Sequence, residues 1–162
     1  MTIQIGDRIP DATLTLSTPE GPRPISTAEL FGGKTVALFA VPGAFTPTCS
    51  ARHLPGFIDN KGALAEKGID TVACVSVNDA FVMGAWARDN NLNGTDDIVM
   101  LADGNGDFTR QVGLTLNASG FGMGERSQRY SMLVKDGVVS QLNIEQGGEF
   151  RVSSAEHLLA QL

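Results

Sequence analysis

The sequence predicts an α/β fold in which a mixed central sheet is flanked by helices on both faces and extended by an N-terminal hairpin. Strand-length apolar runs alternate with segments that open on helix-capping residues, which is typical of a parallel sheet covered by helices. Near the C-terminus, two strand patterns flank Asp136-Gly137, a dipeptide typical of a tight antiparallel hairpin. With 162 residues, 42% of them hydrophobic, the chain is expected to form a single domain over residues 1–162.

The first expected elements are a hairpin, a short helix and the first core strand. Residues 17–24 contain three prolines and a glycine, so they are expected to form a turn between two short strands. Residues 26–29 (Ser-Thr-Ala-Glu) have the capping-box pattern and predict a short helix that ends near Gly32-Gly33. Residues 35–41 are almost entirely apolar, as expected of a strand that is buried on both faces.

The rest of the chain continues the alternation of helix and strand. A helix that begins after Thr46 is expected to kink at Pro55-Gly56, to resume as far as about Lys67 and to end at Gly68. Later strands are predicted at residues 69–77, 98–102, 130–135 and 138–144. Later helices, each preceded by capping or turn residues, are predicted at residues 80–91, up to residue 112 and at 155–162.

Composition and charge exclude several functional classes. The chain carries 18 acidic residues against 12 lysines and arginines, a net charge of −6, so neither nucleic acid nor an anionic membrane is an expected partner. No apolar run is long enough to span a bilayer, and an initiator methionine followed by globular-looking sequence predicts a cytoplasmic protein. With two cysteines, two histidines and no Cys-x-x-Cys, neither a structural zinc site nor a simple dithiol motif is expected.

Cys49 lies where the first core strand is expected to pass into a helix. Thr46 can cap this helix and Pro47 suits its first position, so Cys49 falls in the first turn. Backbone N–H groups at a helix start favour negative charge and therefore favour a reactive thiolate. Active sites also gather at the carboxyl ends of parallel strands. A small, buried, unreactive cysteine is the alternative that these arguments leave open.

The pattern Pro42-x-x-x-Thr46-x-x-Cys49 resembles the active-site motif of peroxiredoxins. Further segments resemble the type II, peroxiredoxin-5-like branch of that family, namely residues 41–57, 75–82 and 129–132. The resemblance covers essentially the whole chain. It implies a thioredoxin-like fold and a thiol peroxidase that reduces hydrogen peroxide and organic hydroperoxides. It also implies that no metal or organic cofactor is needed, and that a homodimer forms through loops near the active site.

The resemblance assigns a role to each residue of the motif and to one arginine. Cys49 would be the peroxidatic cysteine, which the peroxide oxidises to a sulfenic acid. Thr46 would hydrogen-bond the thiolate and the peroxide, and Arg129 would hold the thiolate and polarise the peroxide from across the site. Pro42 would shield the sulfur from bulk water. These residue types suit the chemistry, because attack on an O–O bond pushes negative charge onto the departing oxygen and fixed donors stabilise that charge.

Several neighbouring side chains keep more than one interpretation. Arg126 is a rival to Arg129, although Arg129 directly precedes the matching Tyr-Ser-Met segment. His53 lies one helical turn after Cys49 and could organise the site, but packing or capping is the favoured interpretation. The aromatic side chains have two interpretations each: Phe45 and Phe121 as a wall beside the sulfur or as core, and Phe81 and Trp86 as core or subunit interface.

The oxidised cysteine must be reduced by a thiol. Some family members carry a resolving cysteine late in the chain, but residues 150–154 of this sequence contain none. Cys74 falls in the middle of a strand that is expected to be buried, which makes it a poor resolving cysteine. A one-cysteine cycle with glutathione or glutaredoxin as partner is therefore predicted over a cycle with thioredoxin. The alternative function is a thioredoxin-like redox or chaperone module without peroxidase turnover.

Overall fold

The computed structural model describes residues 1–93 and 97–162 as alternating strands and helices. The strands are β1 (Thr13–Thr18), β2 (Gly21–Ser26), β3 (Thr35–Val41), β4 (Thr71–Ser76), β5 (Val99–Ala102), β6 (Thr115–Asn117), β7 (Glu125–Ser127), β8 (Tyr130–Lys135) and β9 (Val138–Ile144). The helices are α1 (Thr27–Phe31), α2 (Leu54–Glu66), α3 (Ala80–Asp89), α4 (Asp107–Val112) and α5 (Ala155–Ala160), with a π-helical turn at Cys49–His53 and a 3₁₀ turn at Ser119–Phe121.

A seven-stranded mixed sheet has the strand order β2-β1-β5-β4-β3-β8-β9. In its middle β3, β4 and β5 are parallel neighbours, whereas β1 pairs antiparallel with β5 and β8 pairs antiparallel with β3. The β8–β9 hairpin turns at Asp136 and Gly137, whose φ angles are both positive, at 48° and 78°. The parallel centre, this hairpin and the N-terminal hairpin β1–β2 confirm the predicted sheet.

The two faces of the sheet bury two separate apolar clusters, because successive side chains of a strand point to opposite faces. Phe39 belongs to the cluster that also takes side chains from α2, α3 and α5. Its neighbour Leu38 belongs to the cluster that takes side chains from α1 and α4. Every residue of β3 after Thr35 is buried, as its apolar sequence predicts. Helices therefore cover both faces, and Cys49 lies in the first of these clusters.

The edges of the fold differ from expectation. Residues 17–24 are not one turn, because β1 continues to Thr18 and β2 begins at Gly21. Pro22 and Pro24 fit into β2 because this strand lies at the edge of the sheet, where a missing N–H interrupts no ladder on the open side. The short strands β6 and β7 form a separate ribbon that no pattern in the sequence predicts. Over the described part of the chain, the helices are all too short or too polar to cross a membrane.

Candidate active site

Cys49 lies at the start of the helix that follows β3. Residues 47 and 48 are helical, so the helix begins at residue 47, as predicted. The next turn, Cys49–His53, is π-helical, and the N–H of Leu54 donates to the carbonyl of Cys49. Pro55 has no N–H to donate and its ring crowds the turn before it, which accounts for the irregular winding there. The irregular turn therefore precedes the proline, rather than lying at the predicted kink.

Two side chains donate hydrogen bonds to the sulfur of Cys49, which is fully buried. The Thr46 hydroxyl lies 2.8 Å from Sγ, and Nη2 of Arg129 lies 3.1 Å from it. The same hydroxyl lies 2.7 Å from the carbonyl oxygen of Gly43. A hydroxyl has one proton, so it donates to Sγ when the sulfur is an anion and to Gly43 when the sulfur is protonated. The structure thus brings Cys49, Thr46 and Arg129 together, as the sequence predicts.

His53 holds the arginine that faces the sulfur. Nη1 of Arg129 lies 2.9 Å from Nδ1 of His53, and Nε2 of His53 lies 2.9 Å from the carbonyl oxygen of Ser153. Because a guanidinium can only donate, Nδ1 accepts and Nε2 carries the proton that is donated to Ser153. Burial and, secondly, the charge of Arg129 lower the pKa of His53 to about 3, against the opposing effect of the Ser153 carbonyl. His53 is therefore neutral and fully buried, and its ring packs against Phe39 and Phe57, in agreement with the favoured interpretation, while its Nδ1 also contacts Arg129.

Glu145 fixes the loop that supplies the Ser153 carbonyl. Its carboxylate accepts from the backbone N–H groups of Arg151, Val152 and Ser153, at 2.7–2.9 Å, and from the Ser153 hydroxyl at 2.6 Å. Burial acts to raise the pKa of Glu145, but these hydrogen bonds outweigh it and the pKa is lowered. The Glu145 N–H also donates to the carbonyl of Arg129 at 3.0 Å. No sequence motif marks this support, which only the fold brings to the site.

Asn78 shapes the loop between β3 and Cys49. Its side-chain oxygen accepts from the Ala44 N–H at 3.0 Å and from the Ser76 hydroxyl at 2.6 Å. Asn78 directly precedes Asp79, which caps α3 with its side chain. Pro42 directly follows β3 and is half-buried at the start of this loop. The loop that presents Thr46 is therefore tied to the carboxyl end of β4.

Arg126 lies beside the loop but binds backbone atoms. Its Nε donates to the carbonyl of Met123 at 2.9 Å and its Nη1 to the carbonyl of Val77 at 3.0 Å. Of the two arginines, it is Arg129 that donates to Cys49. The geometry thus favours Arg129 over its rival.

The aromatic residues near the site differ in exposure. Trp86 is fully buried, and its indole N–H donates to the Ser50 hydroxyl at 3.0 Å. Phe45, Phe81 and Phe121 are 51%, 74% and 86% exposed. The interpretation as core is therefore correct for Trp86 and wrong for the three phenylalanines.

Cys74 is buried in the middle of β4, opposite Phe39 of β3. Burial and, secondly, the charge of Cys49 raise its pKa well above the usual value, whereas Arg129 acts in the opposite direction. Both cysteines are free thiols in this structure. Over residues 1–93 and 97–162, His, Cys, Asp and Glu side chains form no group of three that could hold a metal ion.

Comparisons with known proteins place this geometry in a family. The family model described as Redoxin matches residues 4–159. Peroxiredoxin-2E-2, chloroplastic, of Oryza sativa subsp. japonica is 52% identical over 99% of this chain and 73% of its own length. The solved structure of reduced Prx3 in complex with H₂O₂ from Vibrio vulnificus is 51% identical, covers 99% of both chains and has a TM-score of 0.93. The more distant Plasmodium falciparum antioxidant protein (1-Cys peroxiredoxin) is 26% identical over 96% of both chains, with a TM-score of 0.87.

These matches confirm the predicted thioredoxin-like fold and the resemblance on which the site prediction depends. They extend over nearly the whole chain, well beyond the motif around Cys49. The chain therefore belongs to the Redoxin family as a type II peroxiredoxin of the peroxiredoxin-5-like branch, and its activity is that of a thiol peroxidase.

Proposed function

We propose that Cys49 is the nucleophile of the peroxidase reaction with hydrogen peroxide and organic hydroperoxides. The thiolate attacks one peroxide oxygen, an S–O bond forms and the O–O bond breaks. The electron pair leaves with the other oxygen as hydroxide or alkoxide, which then takes a proton from solvent. Sulfur is oxidised to a sulfenic acid while the peroxide is reduced. The observation that carries this proposal is the convergence of Thr46 Oγ1 and Arg129 Nη2 on the sulfur of Cys49.

Thr46 and Arg129 act on the charge that the reaction moves. Before attack, both donors stabilise negative charge on the sulfur. During attack, charge passes to the departing oxygen, and donors that are already fixed stabilise it at no further cost of reorganisation. Arg129 can only donate, because a guanidinium carries N–H groups and no acceptor. His53 acts as a positioning residue, since it contacts the arginine rather than the sulfur.

Pro42 is proposed to shield the sulfur from bulk water. It starts the loop that leads to Thr46, is itself half-buried and offers no donor that could compete for the thiolate. Exclusion of water strengthens the hydrogen bonds that Thr46 and Arg129 make to the sulfur. Pro42→Ala should therefore slow the peroxide reaction less than loss of either donor.

The cycle is proposed to use one cysteine of the protein. The sulfenic acid of Cys49 condenses with glutathione, which forms a protein–glutathione disulfide and releases water. Glutaredoxin or a second glutathione then attacks this disulfide and restores the thiol. Support comes from Cys74, the other cysteine of the chain, whose burial in β4 and raised pKa make it a poor attacking thiol. A 1-Cys peroxiredoxin of the same fold is also known.

Mass spectrometry after one equivalent of peroxide tests this cycle. With glutathione present, the oxidised protein should carry one glutathione on Cys49, and glutaredoxin should remove it. An intramolecular Cys49–Cys74 disulfide, with thioredoxin as an efficient reductant, would contradict the one-cysteine cycle. It would leave the assignment of Cys49 as nucleophile intact.

A homodimer is proposed through the surface around the active-site loop. Phe45 lies in this loop, and Phe81 follows Asp79, the cap residue of α3. Phe121 precedes Met123, which lies against Gly43 of the same loop. Large apolar side chains that stay exposed, as these three do, are typical of association surfaces. Phe81→Ser should lower the dimer fraction in sedimentation equilibrium. Cytoplasmic location stays a prediction, to be checked by cell fractionation.

A further inference from the structure

An open groove of about 520 Å³ lies between the start of α2 and the segment that leads into α5. Its volume is in the range of small-molecule sites, roughly 300–1,000 Å³. Arg52 and Asp59 line one side, and Phe150, Arg151 and Glu156 line the other. The groove holds none of the residues that contact the Cys49 sulfur, so it is separate from the site of peroxide attack.

The groove nevertheless adjoins the active site. Arg52 belongs to the same turn as Cys49. The ring of Phe150 contacts the ring of His53, with centroids 5.1 Å apart, and His53 in turn binds Arg129. A molecule in the groove therefore lies beside the turn that carries the peroxidatic sulfur.

Among the residues that the structure describes, neither arginine of the groove has a carboxylate partner closer than 3.5 Å. The guanidinium of Arg52 lies 4.7 Å above the ring of Phe150, a cation–π contact rather than an ion pair. Arg151 is 77% exposed and meets Glu149 only at 3.5 Å, which is a weak pair in water. Across the groove Glu156 accepts from Asn60 at 3.3 Å. Each side of the groove thus offers one arginine and one carboxylate, namely Arg52 with Asp59 and Arg151 with Glu156.

We propose that this groove binds glutathione, with its two carboxylates on Arg52 and Arg151 and its ammonium group on Asp59. This proposal rests on the proposed one-cysteine cycle, in which glutathione is the thiol. A ligand with two carboxylates and one ammonium matches the charges of the groove, and Asp59 is preferred to Glu156 because Glu156 already accepts from Asn60. The Cys49 sulfur is buried, so the disulfide can form only when a local opening exposes the sulfur. The groove, which lies beside the Cys49–His53 turn, keeps the reductant close to it.

Binding of S-methylglutathione tests the groove without turnover, because this analogue has no thiol that can react. We expect saturable binding by titration calorimetry, with amide NMR shifts confined to the groove. The double variant Arg52→Gln, Arg151→Gln should weaken binding about fivefold or more, the effect of losing two exposed ion pairs. Arg23→Gln, at an exposed arginine of β2 at the sheet edge, should bind like the wild type.

The outcomes separate this proposal from the proposed cycle. Three results would contradict a glutathione site in the groove. They are equal binding by the double variant and the wild type, NMR shifts elsewhere on the surface, and the absence of saturable binding. If the double variant fails to fold, Arg151→Gln alone decides, because that side chain is mostly exposed. Failure of glutathione to sustain turnover, with intact binding of the analogue, would instead contradict the cycle alone. If the groove binds glutathione and the one-cysteine cycle is correct, the double variant should raise the KM for glutathione. The KM for uncharged dithiothreitol should stay unchanged.

Discussion

Cys49 and Cys74 are equally buried, both fully, and belong to the same apolar cluster, yet their surroundings are opposite. Cys49 follows the carboxyl end of β3 and accepts hydrogen bonds from Thr46 and Arg129. Cys74 lies within β4 among apolar side chains, and burial raises its pKa. With Cys49 as the proposed nucleophile, burial alone does not decide whether a thiol reacts. The proposal attributes the difference to the donors that meet the sulfur, which follow from the position of the cysteine relative to the strand ends.

The two thiols are also coupled through their charges. Burial is the larger cause of the raised pKa of Cys74, and negative charge on Cys49 raises it further. A thiolate at Cys49 therefore keeps Cys74 protonated. This coupling acts before peroxide attack, while Cys49 is an anion, and burial, the larger cause, continues to act on Cys74 afterwards.

Loss of the Cys49 sulfur should have the largest effect. Cys49→Ser should abolish peroxide turnover, because a serine hydroxyl is not ionised at neutral pH, while circular dichroism should show an intact fold. A coupled assay that follows peroxide consumption measures this. Substantial turnover by the variant would show that Cys49 is not the nucleophile and would leave Cys74 as the candidate thiol.

Removal of the arginine donor should come next. Arg129→Ala should slow peroxide attack about a hundredfold or more, because one fixed donor to the reacting atoms is lost. Stopped-flow measurement of the second-order rate with peroxide gives this number. Arg126→Ala is the matched control and should have a much smaller effect, since that guanidinium binds backbone carbonyls. A larger loss of rate in Arg126→Ala than in Arg129→Ala would show that Arg126, rather than Arg129, is the donor.

The Thr46 hydroxyl can be tested separately from its methyl group. Thr46→Val should slow the reaction and lower the free energy of unfolding by about 1 kcal/mol, because the hydroxyl that donates to Cys49 or to Gly43 is lost. Thr46→Ser keeps a hydroxyl in reach and should be far milder in both measurements. Equal damage from the two substitutions would mean that the methyl group matters and the hydroxyl does not.

The lowered pKa of His53 predicts that the stability of the fold depends on pH. Its pKa is about 3 in the folded protein and about 6.5 when unfolded, so the unfolded state binds more protons between these values. The free energy of unfolding should therefore fall as the pH falls through this window, by up to about 1.4 kcal/mol per pH unit. His53→Asn should flatten this slope in urea titrations, whereas His157→Asn should keep it. An unchanged slope in the first variant would contradict a buried neutral His53.

The smallest effect is expected at the second thiol. Cys74→Ala should retain near wild-type peroxidase activity with glutathione and glutaredoxin, because the Cys74 sulfur takes no part in the proposed cycle. Alanine avoids placing a hydroxyl in the apolar interior of β4. The coupled assay used for Cys49→Ser measures this too. If thioredoxin sustains turnover by the wild type but not by Cys74→Ala, Cys74 is a resolving cysteine.

The sequence predicts the sheet and the first residues of the site because both depend on local patterns. The apolar run of β3, the Asp136-Gly137 turn and the motif before Cys49 each lie within a short stretch of chain. The support of Arg129 could not be predicted in the same way. His53 and Ser153 are separated by 100 positions and meet only in the folded protein. The short strands β6 and β7 have too few residues to show a periodic pattern.

The exposed phenylalanines show a second limit of sequence patterns. Phe45 follows apolar β3 closely, and hydrophobicity alone favours a buried position for it. The loop instead turns its ring outward, with a φ of 66° at this residue. A hydrophobic side chain in a loop therefore has an orientation that periodicity does not determine.

The most direct test of the central claim is to locate the oxygen after one equivalent of hydrogen peroxide. The protein is treated in the presence of dimedone, which traps sulfenic acids, and the peptides that contain Cys49 and Cys74 are compared by mass spectrometry. The dimedone adduct should appear on the Cys49 peptide, with Cys74 unmodified, and it should persist in Cys74→Ala. An adduct on Cys74 in the wild type, or on Cys74 in Cys49→Ser at a similar rate, would contradict the claim that donors rather than burial select the reactive thiol.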